Sequence, residues 1–176
     1  MMLKPQDIVV LLKLVVQDKE SWTYSELAYE LSMSASEVHA AVERANQAQL
    51  FNLGSRSINR EALAEFVIHG VRYAYPPVRG SLTRGMPTGY AAPPLNKKIV
   101  ASDDHPPVWP DPKGTVRGYE LSPLYKSVPK AAAKDSKLYE MLALVDAIRD
   151  GRARERAFAI DELKKRITMR HDTTLT

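Results

Sequence analysis

Apolar residues recur at helical spacing at the two ends of the chain and lose that period in the middle, which divides the sequence into three parts. From Pro5, a favourable first-turn residue, Ile8, Val9, Leu11, Leu12, Val15 and Val16 follow one helical face and predict a core helix. Thr23 and Glu26 form a T-x-x-E capping box, in which each side chain satisfies a free backbone N–H at a helix start, and Leu27, Ala28 and Leu31 give that helix an inner face. Ser34 and Glu37 repeat the device, with Val38, Ala41, Val42 and Ala45 inside. Two capping boxes so close together predict two helices joined by a tight turn at Ser32-Met33, the layout of a helix-turn-helix. Asn59 caps a further helix, Arg60 to His69, closed by Gly70 in the left-handed position that follows many helices. Alternation from Val71 to Tyr75 predicts a short strand.

The middle part reads differently. Eleven of the twelve prolines lie between Pro76 and Pro129, so residues 76–130 are expected to run as turns and extended pieces, with a wing or small hairpin turning at Lys113-Gly114-Thr115-Val116-Arg117-Gly118. After Ala131 the helical pattern resumes. Leu138, Met141, Leu142, Val145 and Ile148 line one face up to Gly151, and Ala157, Phe158, Ile160, Leu163 and Ile167 a second. They predict a helical hairpin, or a helix kinked at Gly151, over residues 131–176, with the last six residues frayed. The expected architecture is mainly α. A winged helix-turn-helix domain over 1–75 is joined through the Pro-rich loop and short β-hairpin extension to C-terminal helices that dimerise.

Composition narrows the chemistry. The chain has no cysteine, which removes disulfides, thiolate zinc sites and cysteine nucleophiles together. Lys4, Asp7 and Lys13 interrupt the N-terminal apolar stretch, so no signal peptide or membrane span is expected and the chain reads as cytoplasmic. The net charge of +4 is unevenly placed. Residues 1–75 carry seven Lys/Arg against nine Asp/Glu, residues 76–130 eight against four, and residues 131–176 ten against eight. The middle part is therefore the expected supplier of phosphate contacts.

A recognition helix reads base edges with residues near its N-terminus, which also presents backbone donors to phosphate. With the apolar face turned inward, Ser34, Ser36, His39, Ala40, Arg44 and Gln47 are the candidates to contact double-stranded DNA, beside Glu37 and Glu43. The acids leave open a plainer reading, the solvated face of a three-helix bundle. Cations on Gly/Pro-rich loops, Arg79, Arg84, Lys97, Lys98, Lys113 and Arg117, are candidates to follow the phosphate backbone as a wing or arm. Arg84-Gly85-Met86-Pro87 matches half of the minor-groove hook R-G-R-P, with Met86 replacing its second arginine. The same glycines and prolines also suit turns that wrap the loop over the core.

Ser25-Glu26-Leu27-Ala28 to Leu31, Ser34 to Val38 and the run to Leu50-Phe51 resemble the helix-turn-helix of MarR-type winged-helix bacterial regulators, over roughly residues 5 to 55. Ala28, Ser32 and Val38 fall at the motif's small, turn and apolar positions; the turn position is more often glycine. With the terminal apolar helical pair as a dimer interface, two-fold symmetry is expected to set two recognition helices about 34 Å apart, and the chain to act as a repressor by occupancy. The run Val67 to Pro76, with Thr83 to Thr88, is also similar to small helix-turn-helix proteins of toxin–antitoxin or defence loci. That likeness implies the alternative function, an antitoxin-like module that neutralises a partner enzyme.

Tyr73, Tyr75, Tyr90, Trp109 and Tyr119 either stack on bases or pin the loop to the core, and pinning fits a segment with few backbone hydrogen bonds of its own. The histidines at 39, 69, 105 and 171 have no metal-ligand spacing, and Asp103-Asp104 and Asp161-Glu162 stand without a phosphate loop or nucleophile motif. No metal, cofactor or enzymatic activity is expected. The charged run Arg149 to Arg156 reads as a solvated helix face.

Overall fold

The computed structural model describes residues 1–100 and 105–169; the fraying expected of the last six residues, the acid pair Asp103-Asp104 and His171 lie outside them. The chain is mixed α/β, with eight α-helices and two small sheets among the described residues. Local hydrogen bonding sets the first helices. α1 spans Pro5–Gln17, α2 Tyr24–Leu31 and α3 Ala35–Gln47. Both capping boxes form: the Glu26 N–H donates to Thr23 Oγ1 at 3.1 Å and the Thr23 N–H to Glu26 Oε2 at 3.2 Å, while Glu37 and Ser34 exchange the same bonds at 3.1 and 2.7 Å. Ser32 takes the left-handed region (φ 53°), and the Met33 N–H reaches back to the Ala28 carbonyl at 2.9 Å, which ends α2 sharply.

A tight hairpin follows α3. β1 (Phe51–Asn52) pairs antiparallel with β2 (Ser57–Ile58), and its turn is tied to α3 by the Leu53 N–H donating to Asn46 Oδ1 at 2.9 Å. A wing is expected only after residue 76, and this earlier hairpin is a difference from that expectation. α4 (Arg60–His69) is capped by Asn59 as expected, with the Ala62 N–H donating to Asn59 Oδ1 at 3.2 Å. The strand expected at Val71 to Tyr75 is instead a single helical turn, α5 (Val71–Ala74). Gly70 keeps right-handed helical angles, and Val71 is fully buried where this turn packs on the helix Ser136–Asp150, so packing overrides β propensity there.

The Pro-rich part is ordered around three strands, β3 (Arg79–Pro87), β4 (Pro107–Pro110) and β5 (Val116–Leu121), each paired with both others. β4 and β5 are antiparallel to β3 but parallel to one another, so the expected hairpin turning at Lys113 to Gly118 does not form. The connection instead crosses β3 at Gly85. A Cβ on Gly114 would lie 2.4 Å from the Gly85 backbone, and one on Gly85 2.0 Å from the Trp109 carbonyl oxygen, so only glycine permits this crossing.

α6 (Val128–Lys134), α7 (Ser136–Asp150) and α8 (Ala153–Thr168) complete the chain. α7 is buried along nearly its whole length and packs on α1, α5, α6 and α8, while α8 lays Ala159, Leu163 and Ile167 toward α4 and α7. Most of the apolar residues expected to dimerise are thus buried within one chain, although Ala157 is exposed and Phe158 and Ile160 are half-buried, and residues 131–169 share the core of the N-terminal helices.

Lys13 joins three of these elements. Its ammonium lies 2.9 Å from Glu30 Oε2 on α2 and 2.7 Å from Asp135 Oδ2, the cap of α7. Burial works to lower its pKa, yet the hydrogen bonds to Asp135 and Glu30 outweigh it and hold it above the ordinary lysine value. For Asp135 burial works upward, and the bonds from Lys13 and from the Leu138 and Lys137 N–H groups hold the carboxyl below the ordinary value. A carboxylate depressed in the folded state contributes stability above its unfolded pKa of about 3.9, and loses it as pH falls through the folded value. Urea midpoints are therefore expected to be flat between pH 7 and 5 and to fall below about pH 4, with a shallower fall in Asp135→Asn. Identical acid limbs for the two proteins would refute this.

Candidate nucleic-acid interface

α3 meets α2 across the three residues Ser32 to Ser34 and carries a polar face that none of the described residues covers. Ser34, Ser36, His39, Glu43 and Gln47 are exposed and Ala40 is half-buried, in a row leading from the helix start toward β1–β2. Five of the six α3 candidates therefore keep their place on the outer side. His39 packs edge-on against Tyr24, ring centroids 5.0 Å apart, with Nδ1 3.8 Å from Glu43 Oε1, so its ring has a defined position.

Arg44 is a correction. It is 8% exposed and forks onto Asp7 of α1, Nε to Oδ2 at 2.8 Å and Nη2 to Oδ1 at 2.7 Å. Asp7, itself fully buried, also accepts the Lys4 N–H at 2.8 Å. The hydrogen bond to Asp7 holds the guanidinium above its ordinary pKa. Arg44 clamps the recognition-helix candidate to α1, with its Nε and Nη2 donors committed to Asp7.

Two cationic features beside α3 were not anticipated. Lys126, Lys130 and Lys134 recur every fourth residue and are all exposed on or just before α6. Lys134 Nζ donates to the Tyr29 carbonyl at 2.8 Å and to Ser32 Oγ at 3.1 Å, inside the α2–α3 turn, and Tyr125 OH donates to Glu37 Oε1. These bonds lay the lysine row along the start of α3. The backbone N–H of Ser34 and the Tyr125 hydroxyl hold Glu37 below the ordinary glutamate pKa, with Lys126 adding to the effect. The second feature is Arg56 in the β1–β2 turn, which stacks 4.1 Å above the Trp22 ring and donates to the Trp22 carbonyl at 2.7 Å.

The middle-part cations separate into three groups. Arg79 is bound to Asp150, Nε to Oδ1 at 2.7 Å, and lies over the Tyr119 ring. Lys98 pairs with Glu162 on α8 at 3.0 Å, and Lys97 is exposed beside it. Arg84, Lys113 and Arg117 are exposed on the three-stranded unit. The structure gives none of these loop residues a contact with α3.

The aromatic residues mostly pin the Pro-rich part. Trp109 is 1% exposed, half-buried Tyr75 is pushed up to about 12 by burial, and Tyr119 donates to Asp150. Tyr73 is exposed instead. The pin has a polar centre. Asp146 accepts Thr88 Oγ1, Trp109 Nε1 and Arg149 Nη1, each at 2.7 Å, and Arg149 also donates to the Tyr75 and Ser122 carbonyls. Burial pushes the Asp146 carboxyl above its ordinary value, while Arg149, Thr88 and Trp109 pull against that rise. Arg149, expected on a solvated face, is 8% exposed.

Among the described residues, no cluster of three or more His, Asp or Glu side chains could hold a metal ion, and no helix is long and apolar enough to cross a membrane. Comparison of the chain with family models, curated proteins and solved structures gives no match.

Proposed function

We propose that this chain binds double-stranded DNA as a winged helix-turn-helix regulator, with α3 in the major groove and β1–β2 as the wing, and represses by occupying its site. The observation that carries the reading is the exposed polar row of α3, Ser36, His39, Glu43 and Gln47, on a helix whose start is tied to the α6 segment through Lys134 and Tyr125. That is the disposition a major groove requires: short polar side chains toward the bases and cations on the flanks toward phosphate. Lys126 and Lys130 supply the flank that the acidic first 75 residues lack. Glu43 and Glu37 on the same helix make non-specific binding weak and favour a sequence in which a cytosine amino group faces Glu43.

The competing idea, a module that covers a partner enzyme, draws less support, because the exposed apolar side chains are spread along the chain, among them Tyr29 on α2, Tyr73 on α5, Val78 and Leu82 before and on β3, and Val100 in the connection to β4.

A mobility-shift assay on the DNA upstream of the gene tests the proposal. His39→Ala with Gln47→Ala is expected to reduce discrimination between that DNA and an unrelated duplex by about tenfold or more, at roughly 1–3 kcal/mol per lost base contact, with an unchanged melting temperature. Absence of any shift at low salt overturns the reading.

A further inference from the structure

The three-stranded unit carries a cationic surface of its own. Arg84 on β3 and Arg117 on β5 are direct cross-strand partners, so their side chains leave the same face of the ribbon, and both are exposed. The next pair on that face is Leu82 and Tyr119, with the Arg79 guanidinium 5.4 Å from the centre of the Tyr119 ring. Lys113 joins them from the connection that crosses β3: the Asp111 N–H donates to the Arg84 carbonyl at 3.2 Å, and Gly114 sits directly on Gly85. The acids nearby are engaged or turned away. Asp150 binds Arg79 and Tyr119, Asp111 accepts the Lys113 N–H, and Glu120 is beside Gly80 one register position off the face. Among the described residues, neither Arg84, Arg117 nor Lys113 has an acidic partner.

Like charges directly opposite across a ribbon oppose folding, and no acid among the described residues offsets this pair. We propose that Arg84 and Arg117, with Lys113 beside them, form a second phosphate-binding surface that grips the DNA backbone without reading its sequence. The inference takes its ligand from the DNA-binding reading but is carried by different residues on a different element. It also answers a need of that reading, since a single chain with one recognition helix otherwise has few phosphate contacts. Arginine suits the task because its planar fork matches phosphate oxygens in pairs.

The test is fluorescence anisotropy of the full chain on a labelled duplex of unrelated sequence and on the gene's upstream DNA, from 50 to 200 mM salt. Each backbone phosphate neutralised contributes a slope of about 0.9 in log affinity against log salt. Arg84→Gln with Arg117→Gln is expected to lower the slope by about 1.8, a difference of about tenfold in salt-induced loss over that range, equally on both duplexes. The ratio of affinities for the two duplexes stays the same, and Arg84→Lys with Arg117→Lys retains the wild-type slope. The Gln pair is also expected to melt no lower than wild type, since it relieves a repulsion.

A wild-type slope in the Gln pair overturns the inference and leaves the α3 reading standing, as does a Lys pair that loses as much as the Gln pair. A Gln pair that melts lower shows that the fold needs these arginines, and overturns it too. Failure of the wild-type chain to bind either duplex at 50 mM salt ends both readings, and binding lost only in the α3 variants leaves this surface without a role.

Discussion

Asp146→Ala is expected to cost about 3–5 kcal/mol of folding stability, the range for removing one partner of a buried ion pair. Three donors converge on this carboxylate from different parts of the chain: Thr88 just after β3, Trp109 on β4 and Arg149 one turn along α7. Alanine leaves the Arg149 guanidinium buried with only the Tyr75 and Ser122 carbonyls, and strips the Trp109 indole N–H and the Thr88 hydroxyl of their acceptor. Each neutral orphan costs on the order of 1–3 kcal/mol, though losses within one network do not add. Total stability of a domain is about 5–15 kcal/mol, so the variant is expected to be marginal.

Calorimetry should place its melting temperature about 6–20 °C below wild type, at roughly 2–4 °C per kcal/mol for a chain of this length. Trp109 fluorescence should redden as water reaches the indole. The compensating variant Asp146→Leu with Arg149→Met removes both charges together and is expected to recover much of the loss. A melting temperature within about 3 °C of wild type for Asp146→Ala would show that the three-stranded unit is held by its apolar contacts alone.

What the sequence disclosed follows the range of the interactions concerned. The capping boxes at Thr23 and Ser34 were legible because each bond closes within three residues and needs no knowledge of the rest of the chain. The same is true of Pro5 and Asn59. Arg44 was misread because it lies beside Ala45 at the edge of the inner face, and its direction is decided by Asp7, 37 positions away.

The lysine row escaped notice because Pro129 was counted with the loop prolines. It stands instead in the first turn of α6, where its missing N–H costs nothing. Nothing local announces that Gly85, Gly114 and Gly118 bring backbone onto backbone, since the need for glycine arises only once β4 and β5 flank β3. The apolar face of α7 is legible in its spacing, while that of α8 is turned from the expected one, burying Ala159 and exposing Ala157; and since the hydrophobic effect has no direction, spacing does not tell a neighbour in the same chain from a second copy.

The Asp7–Arg44 clamp separates the stability of the recognition-helix candidate from its binding. Arg44→Ala leaves the fully buried Asp7 carboxylate with only the Lys4 N–H, and is expected to destabilise the chain by about 3–5 kcal/mol, as Asp7→Ala does from the other side. Because both variants break the same pair, the double variant should lose far less than the sum of the two, with a coupling of about 1–3 kcal/mol in a double-mutant cycle read by urea unfolding. Asp7→Leu with Arg44→Met keeps comparable volume without burying a lone charge, and is expected to regain most of the stability.

The prediction with functional weight concerns that restored variant. If α3 presents Ser36, His39 and Gln47 to DNA while Arg44 faces inward, the Leu/Met chain should bind with wild-type affinity and wild-type salt slope. A restored fold that has lost one phosphate's worth of slope, about 0.9, would place the Arg44 guanidinium at the DNA after all and undo the division of α3 into a clamped side and a reading side.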